Sequence, residues 1–475
     1  MAKGLAVVGA VAAGLFLRPA PASAATVAAA PAAQGARASA SEAAAPRAGA
    51  RNVVATLANG PKGGDVIDTG DTAWLLTSTA LVLFMTLPGL ALFYGGLARS
   101  GSVLTILMQC MASAAIVTVL WTTVGYSLTF SDAGMKEGVI NLGSFIGGFD
   151  KTLLKGVESG VVGTIPEALW FCFQLTFAII TPALIVGAFA ERMKFSSSVL
   201  FMAIWSVLVY YPVGHMVWAG PGSLLGDLNA LDFAGGLVVH LTSGVAAMVS
   251  CLMVGQRKKA TMEPHNLPMA VIGAGMLWVG WFGFNAGSAV SASAAAAMAM
   301  AATQIAAAAA CLAWSAADWI EHGKPTTVGA ISGIVAGLVG ITPCAGFVGP
   351  IGGLAIGALT ALVCRFFVET VKPHFGYDDA LDVVGVHGVG GFTGNLLAGV
   401  FAAPFFGGNN IAMGMAAQTG VQLVASLVVM AYTAVMTAGI LAFVGKVTGG
   451  LRASEEEEAA GLDQSSFGET AYRTN

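Results

Sequence analysis

Long apolar segments dominate the sequence and limit the folds that the chain can adopt. About eleven of them reach the roughly 20 residues that an α-helix needs to cross the hydrocarbon core of a bilayer. Only 10% of the residues are charged, whereas about 25% are charged in soluble domains. The sequence therefore predicts an all-α polytopic membrane protein with eleven transmembrane helices. We place them near residues 73–97, 102–130, 166–190, 197–219, 232–255, 267–287, 293–317, 326–345, 350–371, 382–402 and 417–446.

The N-terminal region has the pattern of an export signal. Lys3 precedes an apolar stretch from Gly4 to Leu17 that is too short to span a bilayer, and Ala22-Ser23-Ala24 is typical of a cleavage site. An uncleaved anchor is the alternative. The stretch that follows is rich in Ala, Pro and Gly without periodicity, which predicts a disordered exported leader. The chain thus divides into a signal peptide (1–24), a leader (25–70), a membrane domain (71–450) and a C-terminal tail (451–475).

Basic residues indicate the orientation of the membrane domain. Within the predicted membrane domain and tail, ten of them fall in alternate connections or at the tail, and three lie in the other set of connections, all in the long second loop. Because cytoplasmic loops carry an excess of Lys and Arg, we predict a periplasmic N-terminus and a cytoplasmic C-terminus. The cytoplasmic set is Arg99, Arg192, Lys194, Arg257, Lys258, Lys259, Lys324, Lys372, Lys446 and Arg452, and the opposite set is Lys136, Lys151 and Lys155.

Two histidines, His240 and His387, lie deep inside apolar, glycine-rich segments. An ionisable group within a membrane span usually faces an internal cavity and marks a substrate or proton path. Imidazole also exchanges protons near neutral pH. Each histidine follows an aspartate by five to eight residues, and this repeat predicts a transport path related by a two-fold axis. Two core histidines bonded to backbone carbonyls are the alternative.

Aromatic residues suggest a site for a small cation. Trp281, Phe284 and Ser288 fall on one face of the sixth predicted span, and Trp218 lies at the outer end of the fourth. Core packing or an interfacial aromatic belt is one interpretation. In the functional interpretation, Trp218 and Phe177 offer π faces and Ser288 an acceptor to a cation, an attraction that strengthens when water is excluded. Phe177 and Phe284 would then close the path below this site.

Aspartates lie at both predicted mouths of the path. Asp232 opens the fifth span, and we interpret it as a helix cap rather than as a direct ligand. Its charge would still favour cation entry. Asp382, with Asp378 and Asp379 as further candidates, is predicted to play the matching structural role at the inner mouth.

Other chemistry finds little support in the sequence. All six cysteines lie in apolar segments without a CxxC pair, so we expect neither a metal site nor a disulfide. No nucleophile pair, metal cluster or cofactor motif is present, and we expect no enzyme activity, no cofactor and no nucleic-acid partner.

An ordered set of motifs extends from about Trp74 to the tail. The stretches are TALVLFMTLPGLALFYGGLARS, LIVGAFAERMKFSS, HMVWAG, ALDFAGGLVVH, PHNLPM, GWFGFNAGSA and DVVGVHGVGGFTG, followed by GLDQSSFGETAY. Together they resemble the bacterial branch of the ammonium transporter, methylammonium permease and Rhesus protein superfamily.

The resemblance implies two inverted five-helix repeats plus a C-terminal helix, in a homotrimer with one pore per subunit. It implies an outer substrate-binding site formed by Phe177, Trp218 and Ser288, with Asp232 supporting it structurally. Phe177 and Phe284 match the family's stacked gate. The implied pore and gate residues are Phe284, His240, His387 and Trp281.

These features predict transport of ammonium or ammonia across the bacterial inner membrane. The cation would be recruited at the outer aromatic site, deprotonated, and conducted past the twin histidines. An electroneutral ammonia/CO2 gas channel is the alternative within the superfamily, although a neutral gas needs no cation site. An ammonium sensor that signals through its tail is the alternative from another class, and a fused signalling domain would mark it.

The tail carries a predicted short helix. Ser454 and Glu457 have the spacing of a capping box, the first turn is acidic, and Gly461 is placed to end the helix. A solvated acidic tail is the alternative. The resemblance implies that the tail packs under the pores of the trimer and supports inhibition by a PII-type signalling protein at the cytoplasmic face.

Overall fold

The computed structural model describes residues 67–258, 263–409 and 413–472. The predicted signal peptide lies outside the described residues, as does the predicted leader except for its last four residues.

Eleven apolar helices form the membrane domain. Among the described residues, ten are 18 to 33 residues long and apolar enough to cross a membrane, and the remaining one, α8, is shorter. This confirms an all-α polytopic membrane protein. The helices are α1 (Thr69–Leu97), α2 (Ser100–Phe130), α3 (Glu167–Phe189), α4 (Phe195–Trp218), α5 (Gly236–Val254), α6 (Leu267–Ala286), α7 (Ala294–His322), α8 (Thr327–Ile341), α9 (Pro350–Phe375), α10 (Val384–Phe401) and α11 (Met415–Val447).

Helix α8 ends earlier than its apolar pattern predicts. We expected a span over residues 326–345, but the helix stops at Ile341. Its 15 residues cover roughly 22 Å, less than the 30 Å or so of hydrocarbon. Pro343 follows at once, and proline cannot donate the hydrogen bond that would continue the helix. The carbonyl of Pro343 instead accepts the N–H of Phe233 at 2.9 Å, so the irregular segment after α8 pairs with the irregular segment before α5.

Helices α5 and α10 touch each other backbone to backbone. A Cβ atom on Gly244 of α5 would lie 2.1 Å from the Cα atom of Gly388 of α10. Small residues permit such close approach in membrane bundles. Both helices begin with a wide π-helical turn, Gly236–Leu241 in α5 and Val384–Gly388 in α10. These turns hold His240 and His387, and the close crossing brings the two histidines together.

Helix α3 is the centre of the bundle. Of the most apolar 18-residue stretch of α3, 89% is buried inside the protein, whereas the corresponding value for α11 is 33%. Helix α11 is therefore peripheral, and Phe177 of α3 faces protein on all sides.

The connection between α2 and α3 is folded although it is largely irregular. A two-residue antiparallel hairpin joins β1 (Val161–Val162) to β2 (Ile165–Pro166). Single 3-10 turns lie at Leu142–Ser144, Thr152–Leu154 and Val157–Ser159. The turn Thr152–Leu154 packs against α2 at Trp121–Gly125.

The tail folds back onto the membrane domain as two short helices, α12 (Glu455–Ala460) and α13 (Leu462–Phe467). Ser454 and Glu457 form the predicted capping box, and Gly461 ends α12, which confirms both predictions. In α13, the Asp463 carboxylate accepts the N–H groups of Leu104 and Thr105 at 3.0 and 2.8 Å. The tail is therefore docked at the start of α2, which disagrees with a freely solvated end.

Candidate functional site

Five ring side chains predicted to line the path form one continuous stack. The rings of Trp218 and Phe177 have centroids 6.0 Å apart, and those of Phe177 and Phe284 are 4.3 Å apart. The stack continues from Phe284 to His240 at 5.9 Å and from His240 to His387 at 5.3 Å. Each of the five residues is at most 3% exposed. The stack draws on α3, α4, α5, α6 and α10 and runs through the interior of the bundle.

An aromatic cage lies at the predicted outer end of this stack. The Trp218 indole N–H donates to the backbone carbonyl of Asp232 at 3.1 Å, which fixes the orientation of the ring. The Ser288 hydroxyl donates to the carbonyl of Phe284 at 2.7 Å. Its oxygen therefore keeps lone pairs free to accept a hydrogen bond. Phe177 completes the wall, and the structure brings the three predicted cage residues together.

Gln174 also lines the cage, and our reading of the sequence missed it. Its side chain is 3% exposed, and its Oε1 has no hydrogen-bond partner among the described residues. A buried amide oxygen without a partner is an acceptor that is available to a ligand. The signal was present in FCFQLTF, because Gln174 precedes Phe177 by three residues and so shares its helix face.

Asp232 acts as a cap beneath the cage. Its carboxylate accepts four consecutive backbone N–H groups at 2.6 to 3.1 Å, and both oxygens are used twice. This confirms the interpretation of Asp232 as a cap at the start of α5. The donors are Gly235, Gly236, Leu237 and Val238.

The counterpart of Asp232 in the second half is Asp379. It is fully buried, it precedes His387 by the eight residues that separate Asp232 from His240, and it accepts the N–H of Val384 at 2.7 Å. Three residues after each aspartate the backbone has a positive φ, +115° at Gly235 and +58° at Asp382. Asp382 was our first candidate for the matching role, and this was wrong, because Asp382 occupies the position of Gly235 and pairs with Lys372 at 2.6 Å.

Burial raises the pKa of Asp232 to about 6, against the lowering effect of its four N–H donors. Burial also raises the pKa of Asp379 to about 6, where Lys372 lowers it and Asp382 raises it. For both carboxyl groups, the effect of burial on the pKa therefore outweighs the neighbouring groups that stabilise the charged form.

His240 and His387 are in direct contact. Their Nδ1 atoms lie 3.2 Å apart, so one ring donates to the other. The Nε2 atom of His240 is buried and has no partner among the described residues. Trp281 stacks on His240 at 5.4 Å and donates its indole N–H to Thr342 at 2.9 Å. The remaining lining here is largely apolar: Met85, Leu90, Phe93, Ile180, Leu184, Leu277, Phe284 and Val335.

A polar vestibule of about 470 Å³ lies on the other side of His387. Its wall contains two ion pairs, Lys372 with Asp382 and Arg257 with Asp378. Burial raises the pKa of Asp378, but hydrogen bonds from Arg257 lower it to a net value below the usual range. His387 therefore separates an apolar segment from a charged cavity.

The described residues contain one cluster with metal-ligand geometry, at Glu321, His322 and Glu369. All three side chains are exposed, and Arg365 forms ion pairs with both glutamates at 2.9 and 2.6 Å. Arg365 therefore already compensates the charge of this cluster.

The chain is similar to proteins of one family. A model of the Ammonium Transporter Family matches residues 73–472. An ammonium transporter of Aquifex aeolicus (strain VF5) is 50% identical over 410 residues, which cover 86% of this chain and 94% of the relative. An ammonium transporter of Bacillus subtilis (strain 168) is 44% identical over 411 residues, or 85% of this chain and 98% of the relative.

Solved structures give the same result. The chain matches the crystal structure of Saccharomyces cerevisiae Mep2 with a TM-score of 0.75 and 34% identity, over 82% of this chain and 91% of that chain. It matches a sensor Amt protein with a TM-score of 0.77 and 27% identity, over 84% of this chain and 98% of that chain.

Asp232 and Asp382 have different roles, so the same substitution to asparagine should lower the stability of the protein by different amounts. Asp232→Asn places an NH2 group against backbone N–H donors, and each unpaired buried donor costs about 1–3 kcal/mol. Asp382→Asn removes a partly exposed ion pair, which is worth about 0–1 kcal/mol. We expect a much larger fall in the melting temperature of the purified protein for Asp232→Asn. Equal shifts for both variants would contradict the capping role.

Proposed function

The chain belongs to the Ammonium Transporter Family, and we propose that it transports ammonium across the membrane that its helices span. The observation that carries this proposal is the order of the path: an aromatic cage, a ring gate, and two contacting histidines in an apolar segment. The relatives named ammonium transporters are 44–50% identical to the chain. The sensor Amt protein is 27% identical, so transport is favoured over a sensor.

In the proposed first step, the cage binds ammonium as a cation. Trp218 and Phe177 offer π faces, and cation–π attraction is strongest where water is excluded. Ser288 and Gln174 offer acceptor oxygens to the N–H groups of ammonium, which a spherical potassium ion does not possess. Asp232 does not bind the cation directly, because its oxygens are occupied by backbone N–H groups. Its negative charge still makes the outer mouth attractive to cations.

The apolar segment below the cage makes the site selective. A bare cation that enters it loses its hydration shell without gaining a charged partner, at a cost of several kcal/mol or more. Ammonium avoids this cost by giving up its proton, whereas potassium has no proton to lose. Neutral ammonia then passes the Phe177 and Phe284 rings when they move apart, and it continues along His240 and His387.

The histidine pair carries the proton in this proposal. Because their Nδ1 atoms are within hydrogen-bond distance, one imidazole holds a proton between the rings. A proton accepted at the Nε2 atom of His240 displaces that shared proton towards His387, which releases a proton at its own Nε2 atom. Ammonia and the proton recombine in the vestibule. One charge therefore crosses with each ammonia molecule, unlike in an electroneutral gas channel.

The proposal includes orientation, cellular location and assembly. We place the cage on the periplasmic side and the vestibule and tail on the cytoplasmic side of the bacterial inner membrane, as a homotrimer. The distribution of Lys and Arg supports this orientation. The family resemblance supports the trimer.

We propose that the tail tunes transport and binds a PII-type regulator at the cytoplasmic face. Glu458 connects three parts of that face. Its carboxylate pairs with Arg452 and accepts the backbone N–H of Lys258. Its backbone carbonyl accepts a hydrogen bond from the Arg99 side chain. Asp463 holds the start of α2. Movement of the tail therefore acts on the connections beside the vestibule.

Trp218→Leu tests the cage. Loss of the π face is expected to weaken ammonium binding by about 0.5–2 kcal/mol and to raise the concentration for half-maximal transport. Trp205→Leu is the matched control, because Trp205 is also buried in α4 but bonds to Thr437 of α11. The measurement is the concentration dependence of methylammonium and ammonium transport. An unchanged dependence in Trp218→Leu would make Trp218 only a packing residue.

His240→Ala and His387→Ala test the relay. Each variant interrupts the imidazole pair, so proton-coupled current should disappear or potassium should begin to pass. The exposed His374 provides the control variant His374→Ala, which should transport normally. Ammonium current with intact selectivity in both pore variants would refute the relay.

Deletion from Ser454 onward tests the tail. The membrane domain should fold and assemble, while transport falls and binding of a PII-type protein in pull-downs weakens. The exposed Glu469 allows a control, Glu469→Gln, which leaves the docked segment intact. Full activity together with undiminished partner binding in the truncated protein would show that the tail is passive.

A further inference from the structure

The connection between α2 and α3 exposes large apolar side chains. Four of them, which we call the outer apolar patch, are Ile140, Leu142, Phe149 and Leu153, with exposed fractions of 74, 78, 70 and 70%. A loop that faces only water would carry polar residues at such positions. Contiguous exposed apolar surface usually marks contact with a membrane or with another protein.

Lys151, between Phe149 and Leu153 of the patch, is paired within the protein. It forms an ion pair with the buried Glu167 and lies 6.0 Å from the Tyr126 ring. Its backbone N–H donates to the hydroxyl of Ser127 at 3.0 Å. At this part of the connection, apolar side chains are exposed while the neighbouring ammonium group is paired inside, as expected of a segment in contact with lipid.

The turn that carries Leu153 of the patch lies below the end of α2. It packs on Trp121–Gly125, which is five to nine residues before the end of α2 at Phe130. At a rise of 1.5 Å per residue this is roughly 7–14 Å from the helix end. Two residues before this segment of α2, the apolar side chain of Val119 is 63% exposed. The connection thus covers α2 at a depth where lipid would otherwise contact it.

The backbone of the connection can tolerate this position. In hydrocarbon, irregular backbone is acceptable only where its polar groups are paired within the protein. The N–H of Gly147 donates to Leu128 of α2, and those of Thr152, Leu154 and Lys155 donate within the turn.

We propose that the outer apolar patch is immersed in the bilayer at the boundary between acyl chains and headgroups. Lys136 and Lys155 are exposed beside the patch, and long basic side chains reach back to the headgroups from such a depth. The position of the Leu153 turn against α2, the exposed apolar side chain of Val119 on that helix and the flanking lysines favour lipid over a second copy of the chain as the occupant.

Lipid contact at the patch would also bear on the cage. The same connection holds helix α4 through His215, whose ring nitrogens lie 3.0 and 2.8 Å from the carbonyl oxygens of Thr129 and Gly143. Its Ser144 carbonyl accepts the N–H of Leu224. Because Trp218 is one turn beyond His215, the bilayer supports the wall of the cage through this connection.

Spin labels attached to Phe149→Cys and Leu153→Cys, in lipid nanodiscs, test the proposal. The background should carry Cys172→Ala, since Cys172 is exposed. We expect collisions with oxygen, which concentrates in lipid, to exceed those with a water-soluble nickel chelate, so that the logarithm of their ratio is positive. A label at the exposed Glu158 should give a negative value.

Two results would overturn the proposal. A ratio at both patch positions equal to that at Glu158 would place the patch in water. Low collision rates with both reagents, together with spin–spin broadening between subunits, would show that a second copy covers it. Folding of each variant is checked by its elution as the wild-type oligomer and by its melting temperature.

Discussion

Asp232 positions both the start of α5 and one wall of the aromatic cage. The two oxygens of its carboxylate accept four N–H groups and so fix where α5 begins, and His240 follows about one turn after Gly236. Its backbone carbonyl accepts the indole N–H of Trp218. One buried residue therefore sets the distance between the cation cage and the first histidine. Because such donors cannot be left unpaired in the interior, the arrangement is rigid without any bound ligand.

The second half of the chain also has a buried aspartate before its histidine, but with fewer hydrogen bonds and a different surrounding. Asp379 accepts the N–H of Val384 at the start of α10, whereas Asp232 accepts four N–H groups at the start of α5. The neighbouring Asp382 and Lys372 line an open, charged cavity. The path thus runs from an enclosed aromatic cage through an apolar segment to a polar vestibule. This order suits a cation that is bound, loses its proton, and regains it on the other side. In the proposed mechanism, this gradient of polarity, more than any single residue, accounts for selectivity against potassium.

The sequence predicted the helices and the histidine pair because each leaves a local signal, namely long apolar segments and ionisable groups inside them. The cage was predicted mainly from the family resemblance, because the spacing of the aromatic residues also fitted core packing. It did not distinguish Asp379 from Asp382, since both precede His387 and only the backbone shows which carboxylate caps the helix. Gln174 was missed because an amide in an apolar segment shows its lack of a partner only in three dimensions. The early end of α8 depends on Pro343, whose carbonyl pairs with Phe233, a contact between distant parts of the chain.

The central claim is that ammonia and its proton cross together while potassium is excluded. The most direct test is the current across a liposome membrane that contains the purified protein, after matched concentration pulses of ammonium and potassium. We predict a transient inward current with ammonium and none with potassium. Ammonia entry that makes the liposome interior alkaline without current would contradict the proton relay, and an equal current with potassium would contradict the selectivity mechanism.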